Sequence, residues 1–264
     1  MTAVPMVSLY LSRLLLNQHS RQVMGEVEHP YEMHRTLMRA FPKATDDTQA
    51  RARNEFGVLF RPEVDDLRGT IRVYVQSHVE PDWSILDGLN DYLYADTQMP
   101  AWEHKDIMPA CRKIQNGQIL AFRLRANPTK RIAKHGDTMK GKRVELRRED
   151  EQIEWLIRKG WDVGKDVSGG FCLVKSQAGD SEGELRLVPN VRVSCEGKRT
   201  GRKRDAAGGH ATTHLAVLFD GLLQVTNAET FLDTLVQGIG PGKAFGFGLL
   251  SVAPVPTRGL EVAT

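Results

Sequence analysis

Cysteine is scarce in this chain of 264 residues. Cys111, Cys172 and Cys195 are odd in number, far apart and outside any CxxC pair. That excludes a disulfide scaffold and a zinc ribbon and points to a reducing cytoplasm. No apolar run reaches eighteen residues, so no membrane partner is expected. "MVSLYLSRLLL" is short, is broken by Arg13, and lacks a basic leader and a small-residue cleavage site; it reads as a first strand, not a signal peptide. Nucleotide and hydrolase motifs are missing too. A Walker loop needs a glycine six residues before its lysine, but six before Lys243 is Gln237. A dinucleotide fingerprint needs a helix and further βαβ structure after it, but only sixteen residues follow Gly248 and "LLSVAPV" reads as a strand. Neither "GDS" nor "VSC" forms a nucleophile elbow. "HATTH" (His210, His214) has the spacing of a zinc helix but no glutamate between its histidines, and the run after it is β-rich. No metal and no cofactor are expected.

What is present is charge, unevenly placed. The net charge is only +3. Ten basic residues nevertheless fall between Arg123 and Arg148, among them Arg125, Lys130, Arg131, Lys142 and Arg143, against only Asp137 and Glu145. "KRTGRKR" adds Lys198, Arg199, Arg202, Lys203 and Arg204. The first half is nearer neutral, with acidic stretches such as "EVDD". Such asymmetry suits a polyanion held by the second half; the alternative is a solvated charged face. Glycine is concentrated as well: "GIGPGKAFGFG" places five glycines between Gly238 and Gly248. Backbone N–H groups at Gly238, Gly240, Gly242 and Gly246 could approach a phosphate, with Lys243 adding a point charge. The alternative is a turn between a helix and a strand.

Periodicity predicts an α+β chain of two tandem ferredoxin-like (RRM-like, βαββαβ) domains, 1–114 and 115–264. In the first, Val7–Leu16 reads as a strand. Pro30 opens a helix with Met33, Leu37, Met38 and Phe41 on one face. "FGVLFRP" and "TIRVYVQSH" follow as strands, "DWSILDGLNDYL" as a helix capped by Asp82, and a short strand near Ile107–Cys111 closes the unit. In the second, "QILAFRLRAN" is a strand, and Asp150–Trp161 a helix burying Ile153, Leu156 and Ile157. "GFCLVKS", "LRLVPNVRVSCEG" and "HLAVLFDGLLQVT" are strand-like, one strand or hairpin more than the scheme needs. A helix capped by Asn227 buries Phe231, Leu232 and Leu235, and "FGFGLLSVAPV" is the last strand. Residues 197–209 read as a mobile basic loop.

Tyr31 and His34 stand three apart on the first predicted helix and share a face. A phenol beside an imidazole that titrates near neutrality could move protons. A packed tyrosine beside a helix-start histidine is the alternative. Composition leaves open an RNA-cleaving enzyme, a non-catalytic RNA-binding module and a small-molecule enzyme. "FRLRAN" carries one aromatic, unlike the aromatic-rich strands with which RRM modules stack bases.

"HPYEMHRTLMRAFP", "FRLRANPTK", "EQIEWLIRKG" and "QGIGPGKAFGFGLLSVAP", in this order, resemble the CasE family of CRISPR-associated endoribonucleases of type I-E systems. The resemblance implies two ferredoxin-like domains and cleavage of CRISPR precursor RNA in the repeat, 3′ of its hairpin. It also implies retention of the mature guide hairpin with the other subunits of Cascade. In that family the catalytic histidine follows a tyrosine by three residues and precedes a leucine and a Phe-Pro pair. His34 matches it, with Tyr31, Leu37, Phe41 and Pro42 around it; His29 does not. The resemblance thus makes His34 and Tyr31 catalytic and assigns the basic residues above, with the glycine loop, to RNA.

Overall fold

A computed structural model of the chain describes residues 8–42, 56–65, 69–95, 98–134, 137–161, 169–179, 185–203 and 210–255. The first half forms a four-stranded antiparallel sheet from β1 (Tyr10–Asn17), β2 (Leu59–Asp65), β3 (Thr70–Ser77) and β4 (Trp102–Asp106) in the order β2-β3-β1-β4. Helices α1 (Arg21–Glu28) and α2 (Pro30–Leu37) lie between β1 and β2. That strand order is the ferredoxin-like one. One face of the sheet packs on the helices around Leu14, Leu16, Phe60, Val73, Val75 and Trp83, all fully or almost fully buried.

The second half repeats the order with additions. Its five-stranded sheet runs β11-β12-β5-β13, from β5 (Ile119–Ala126), β11 (Val191–Lys203), β12 (His210–Val225) and β13 (Leu250–Pro254). A short β8 (Phe171–Leu173) extends the β11 edge by pairing with the far end of β12. Helices α4 (Glu149–Gly160) and α5 (Ala228–Gln237) cover the core face; α3 (Met108–Cys111) is a single turn in the connection between the halves. Two hairpins are insertions into this scheme: β6 (Thr129–Lys134) with β7 (Asp137–Glu145), and β9 (Lys175–Gly179) with β10 (Leu185–Pro189). The fold is therefore the expected α+β pair of ferredoxin-like units. Among the described residues no helix is long and apolar enough to cross a membrane.

Several local expectations change. Helix α1, with Ser20 as its N-cap, precedes the predicted one. "DWSILDGLNDYL" makes only a 3₁₀ turn at Trp83–Leu86, capped by Asp82; the chain turns at Asp91, whose φ is +54°, a conformation that ends a helix. The closing strand of the first unit is Trp102–Asp106, and the segment after it, expected as a strand, is α3. In α4, Trp155 and Leu156 face inward while Ile157 is 39% exposed. In α5, Phe231 and Leu235 are buried and Leu232 only partly so. Residues 197–203 are not a loop but the end of β11, paired with β12 as far as Lys203↔His210. Arg204 lies outside the described residues. His210 and His214 consequently lie on a strand, about 13 Å apart at strand rise, and not one turn apart on a helix.

The two halves meet through a buried guanidinium. Arg61 on β2 is 3% exposed. Its Nε donates to Glu63 at 2.8 Å, and its Nη1 to Ser251 Oγ at 3.0 Å and to the Leu249 carbonyl at 3.2 Å. Burial pulls its pKa down while Glu63 holds it up. Gln76 on β3 adds a bond to the Leu235 carbonyl at 2.9 Å. Removing one partner of a buried ion pair strands the other. Arg61→Leu is expected to lower unfolding free energy by about 3 kcal/mol; a urea titration that shows no shift in midpoint would refute the role given to this contact.

Candidate active site at the domain joint

Tyr31 and His34 share a face of α2, as the spacing requires, with ring centroids 6.2 Å apart. Pro30 at the first helical position fixes where that helix begins. The helix is held from its own domain by Glu26, a carboxylate only 5% exposed. It accepts from Thr36 Oγ1 at 2.7 Å, Gln22 Nε2 at 2.9 Å and the Tyr92 hydroxyl at 2.6 Å. Burial and the facing carboxylate push the Tyr92 phenol far up, so it stays a donor. His34 is 3% exposed and its ring stacks on Phe60 at 6.0 Å and 16°.

From the other domain the helix is met by β11 and the glycine loop. Tyr31 lies 5.7 Å from Phe245, which packs with Ala216, Ala244 and Phe247. Gly201 on β11 approaches so closely that a Cβ there would stand 3.2 Å from the Tyr31 Cβ and would collide with the Phe245 ring. His29, the residue before the helix, has its Nδ1 3.5 Å from the Thr200 carbonyl. The site is thus a joint: both candidate catalytic side chains come from the first domain, and their outer wall from the second.

The glycine loop is built for packing more than for reaching outward. All five glycines from Gly238 to Gly248 have positive φ, which explains why the last strand begins at Leu250 and not earlier. The Gly238 N–H donates to the Thr234 carbonyl and the Gly246 N–H to Lys243. These two N–H groups bond to protein carbonyls within the loop and its helix. Side-chain space at Gly240 meets Trp155 and at Gly242 meets Phe247. Lys243 starts a 3₁₀ turn, Lys243–Phe245; it is partly buried, and that burial lowers its pKa.

The basic residues fall into two groups. Arg123 is bonded to Asp220 at 2.6 Å, which raises its pKa, and lies 3.4 Å from Glu63. Arg125 is 3% exposed and bonded to Glu196 at 2.6 Å. Strand alternation alone would expose it, but the first domain covers that end of β5, so it is buried at the joint. Arg61, Arg72, Arg123 and Arg125 line a cavity of about 440 Å³ with Glu63, Asp65 and Glu196, where each cation has a carboxylate. The second group stays outside. Lys130, Arg131, Arg143 and Lys198 are exposed and Arg199 partly so, on β6–β7 and β11. Lys130 pairs with Glu151 at 2.9 Å. Arg131 lies directly across from Arg143. Lys142, Arg202 and Lys203 are placed on these strands by their backbone, their side chains lying outside the described residues.

The family profile described as CRISPR associated protein matches residues 9–254. This chain belongs to that family. It is 37% identical over 246 residues to the CRISPR-associated endoribonuclease Cse3 of Thermus thermophilus, covering 93% of this chain and all of that one. It is 34% identical over 149 residues to the Cascade subunit CasE of Escherichia coli, covering 54% and 62% of the two. Among solved structures, Cse3 bound to a 19-nucleotide RNA superposes with a TM-score of 0.68 over 94% of this chain and all of that one, at 37% identity. The joint adds residues that sequence reasoning passed over: Phe60, Asn127, His214 and Phe245. Phe245 stood inside the glycine motif and His214 inside "HATTH", but only as a turn residue and a weak metal ligand.

Gly246 has φ +77°, and a Cβ there would lie 3.2 Å from Pro62 and 3.3 Å from Phe60. Gly246→Val is therefore expected to cost about 1–3 kcal/mol from the backbone conformation alone, read as a lowered Tm. An unchanged Tm would show that the loop is not held as described.

Proposed function

We propose that this chain is an endoribonuclease that cleaves CRISPR precursor RNA in the repeat, 3′ of the hairpin, and keeps the mature guide hairpin as a subunit of Cascade in the cytoplasm. The observation that carries the reading is the joint. A tyrosine and a histidine share one helical face, flanked by strands whose exposed side chains are basic. Membership of the family that includes the endoribonuclease Cse3 and the Cascade subunit CasE supports it. The domains divide at residues 114 and 115, with the catalytic helix in the first and the basic surface in the second.

The chemistry uses the RNA's own 2′-hydroxyl and needs no metal. Its oxygen attacks the adjacent phosphorus, and the bond from phosphorus to the 5′-oxygen breaks. One proton leaves the 2′-hydroxyl and one reaches the 5′-oxygen. His34 is the general base for the first transfer or the general acid for the second. Tyr31 donates a hydrogen bond to the sugar or the scissile phosphate. The products are a 2′,3′-cyclic phosphate and a 5′-hydroxyl. Lys130, Arg131, Lys142 and Arg143 on β6–β7, the cations from Lys198 to Arg204, and Lys243 hold phosphates of the duplex.

One observation favours a non-catalytic RNA-binding module: His34 is 3% exposed, so substrate must uncover it. Cleavage of a labelled repeat hairpin decides between the readings. His34→Ala is expected to abolish cutting while hairpin affinity stays within about twofold, because affinity comes from many cations elsewhere; cutting at the parental rate would overturn the assignment. Cutting is also expected to persist in EDTA and to stop when the nucleotide at the cut carries a 2′-deoxyribose. Cleavage of the deoxy substrate would mean that water, not the sugar, is the nucleophile.

A further inference from the structure

His214 stands on β12, outside the residues given a role above. Asn127, at the end of β5 and 3% exposed, places its Nδ2 at 2.9 Å from His214 Nδ1. An amide NH₂ only donates, so Nδ1 accepts and the ring proton sits on Nε2. That Nε2 is buried with no hydrogen-bond partner among the described residues. Burial also lowers the pKa of the ring, consistent with a neutral imidazole. An apolar ring would fill this space without burying an N–H group. The imidazole lies against Phe245, with centroids 4.5 Å apart and planes at 60°, and within 6.1 Å of Phe247. Phe245 in turn lies 5.7 Å from Tyr31, and Tyr31 lies 6.2 Å from His34. Gly201 closes on Phe245 from β11. A continuous row of rings thus runs from the sheet of the second domain to the catalytic helix of the first.

We propose that His214, held in place by Asn127, is a positioning residue for RNA cleavage: it seats Phe245 against Tyr31 and so fixes where the Tyr31 phenol meets the reacting phosphate. The inference rests on the reading of Tyr31 and His34 given above. In this role His214 acts through two other rings, Phe245 and Tyr31.

The test is single-turnover cleavage of a labelled repeat hairpin at saturating protein, with hairpin affinity measured in parallel. His214→Ala is expected to slow cutting by about tenfold to a hundredfold, the scale of a small misplacement of a catalytic group, with affinity within about twofold. His214→Phe, which keeps a ring against Phe245, is expected to restore the rate to within about threefold. The decisive measurement repeats His214→Ala in a Tyr31→Phe background. If His214 acts through the phenol, the second substitution adds nothing there; an equal slowing in both backgrounds overturns the proposal. Should His214→Ala fail to fold, as judged by its Tm, His214→Leu replaces it in the same cycle. A parental rate for His214→Ala or His214→Leu also overturns the proposal. A parental rate for both His34→Ala and Tyr31→Phe would instead sink the catalytic reading itself and leave the ring contacts as packing.

Discussion

The buried guanidinium of Arg61 is the contact on which the rest of the arrangement depends. It leaves a strand of the first sheet, keeps its own carboxylate, and spends its other donors on the backbone and a serine of the second domain. A charge can lie so deep only where its hydrogen bonds are met. That demand fixes the relation of β2 to β13, and through them that of one domain to the other. The glycine loop runs directly into β13, so the same contact sets how Phe245 and Gly246 approach the first domain. A lysine would not match this arginine: all its donors sit on one nitrogen, whereas the guanidinium meets the carboxylate from Nε and the carbonyl and hydroxyl from Nη1, at fixed positions on a rigid plane.

Helix α2 is consequently clamped between two unlike surfaces. On its own side the grip is polar: three donors converge on the Glu26 carboxylate. On the far side it is aromatic and close, where β11 thins to Gly201 and the Phe245 ring slides in. Polar contacts fix direction and aromatic ones fix distance, and both act on the helix that carries Tyr31 and His34. The joint also explains why Arg125, on a strand face expected to be exposed, is buried and paired with Glu196. Arg125 sits on the sheet face that, in an isolated domain, would be open.

Much of the fold was legible because alternation and helical spacing report burial within one domain. Leu120, Phe122 and Leu124 face inward as β5 predicts, and Tyr31 and His34 share a face as any helix would place them. What escaped was set by contacts far apart in sequence. β6–β7 and the end of β11 carry few apolar residues, so their ladders left no periodic signal; backbone pairing alone makes them strands. Helix α1 offers a single buried apolar side chain, Val23, too little to announce itself. At the site, the imidazole of His34 meets Phe60 and Phe245 meets His214 across separations that no local pattern encodes. The glycine loop is legible as special from its composition, but the side chains its glycines accommodate, Trp155, Phe247 and Phe60, come from distant segments or are not marked by any local pattern.

The basic hairpin β6–β7 has a kinetic meaning. On the proposed reading, guanidinium groups such as Arg131 and Arg143, which face each other across the ladder, would grip a duplex at phosphates that take no part in the reaction. They cannot sense whether a bond beyond the stem has been cut. Binding energy of that kind is equal for substrate and product and lowers no barrier. It lengthens the residence of both. A protein built this way is a poor turnover catalyst and a good cap: it cuts once, and the hairpin it has made becomes its permanent ligand.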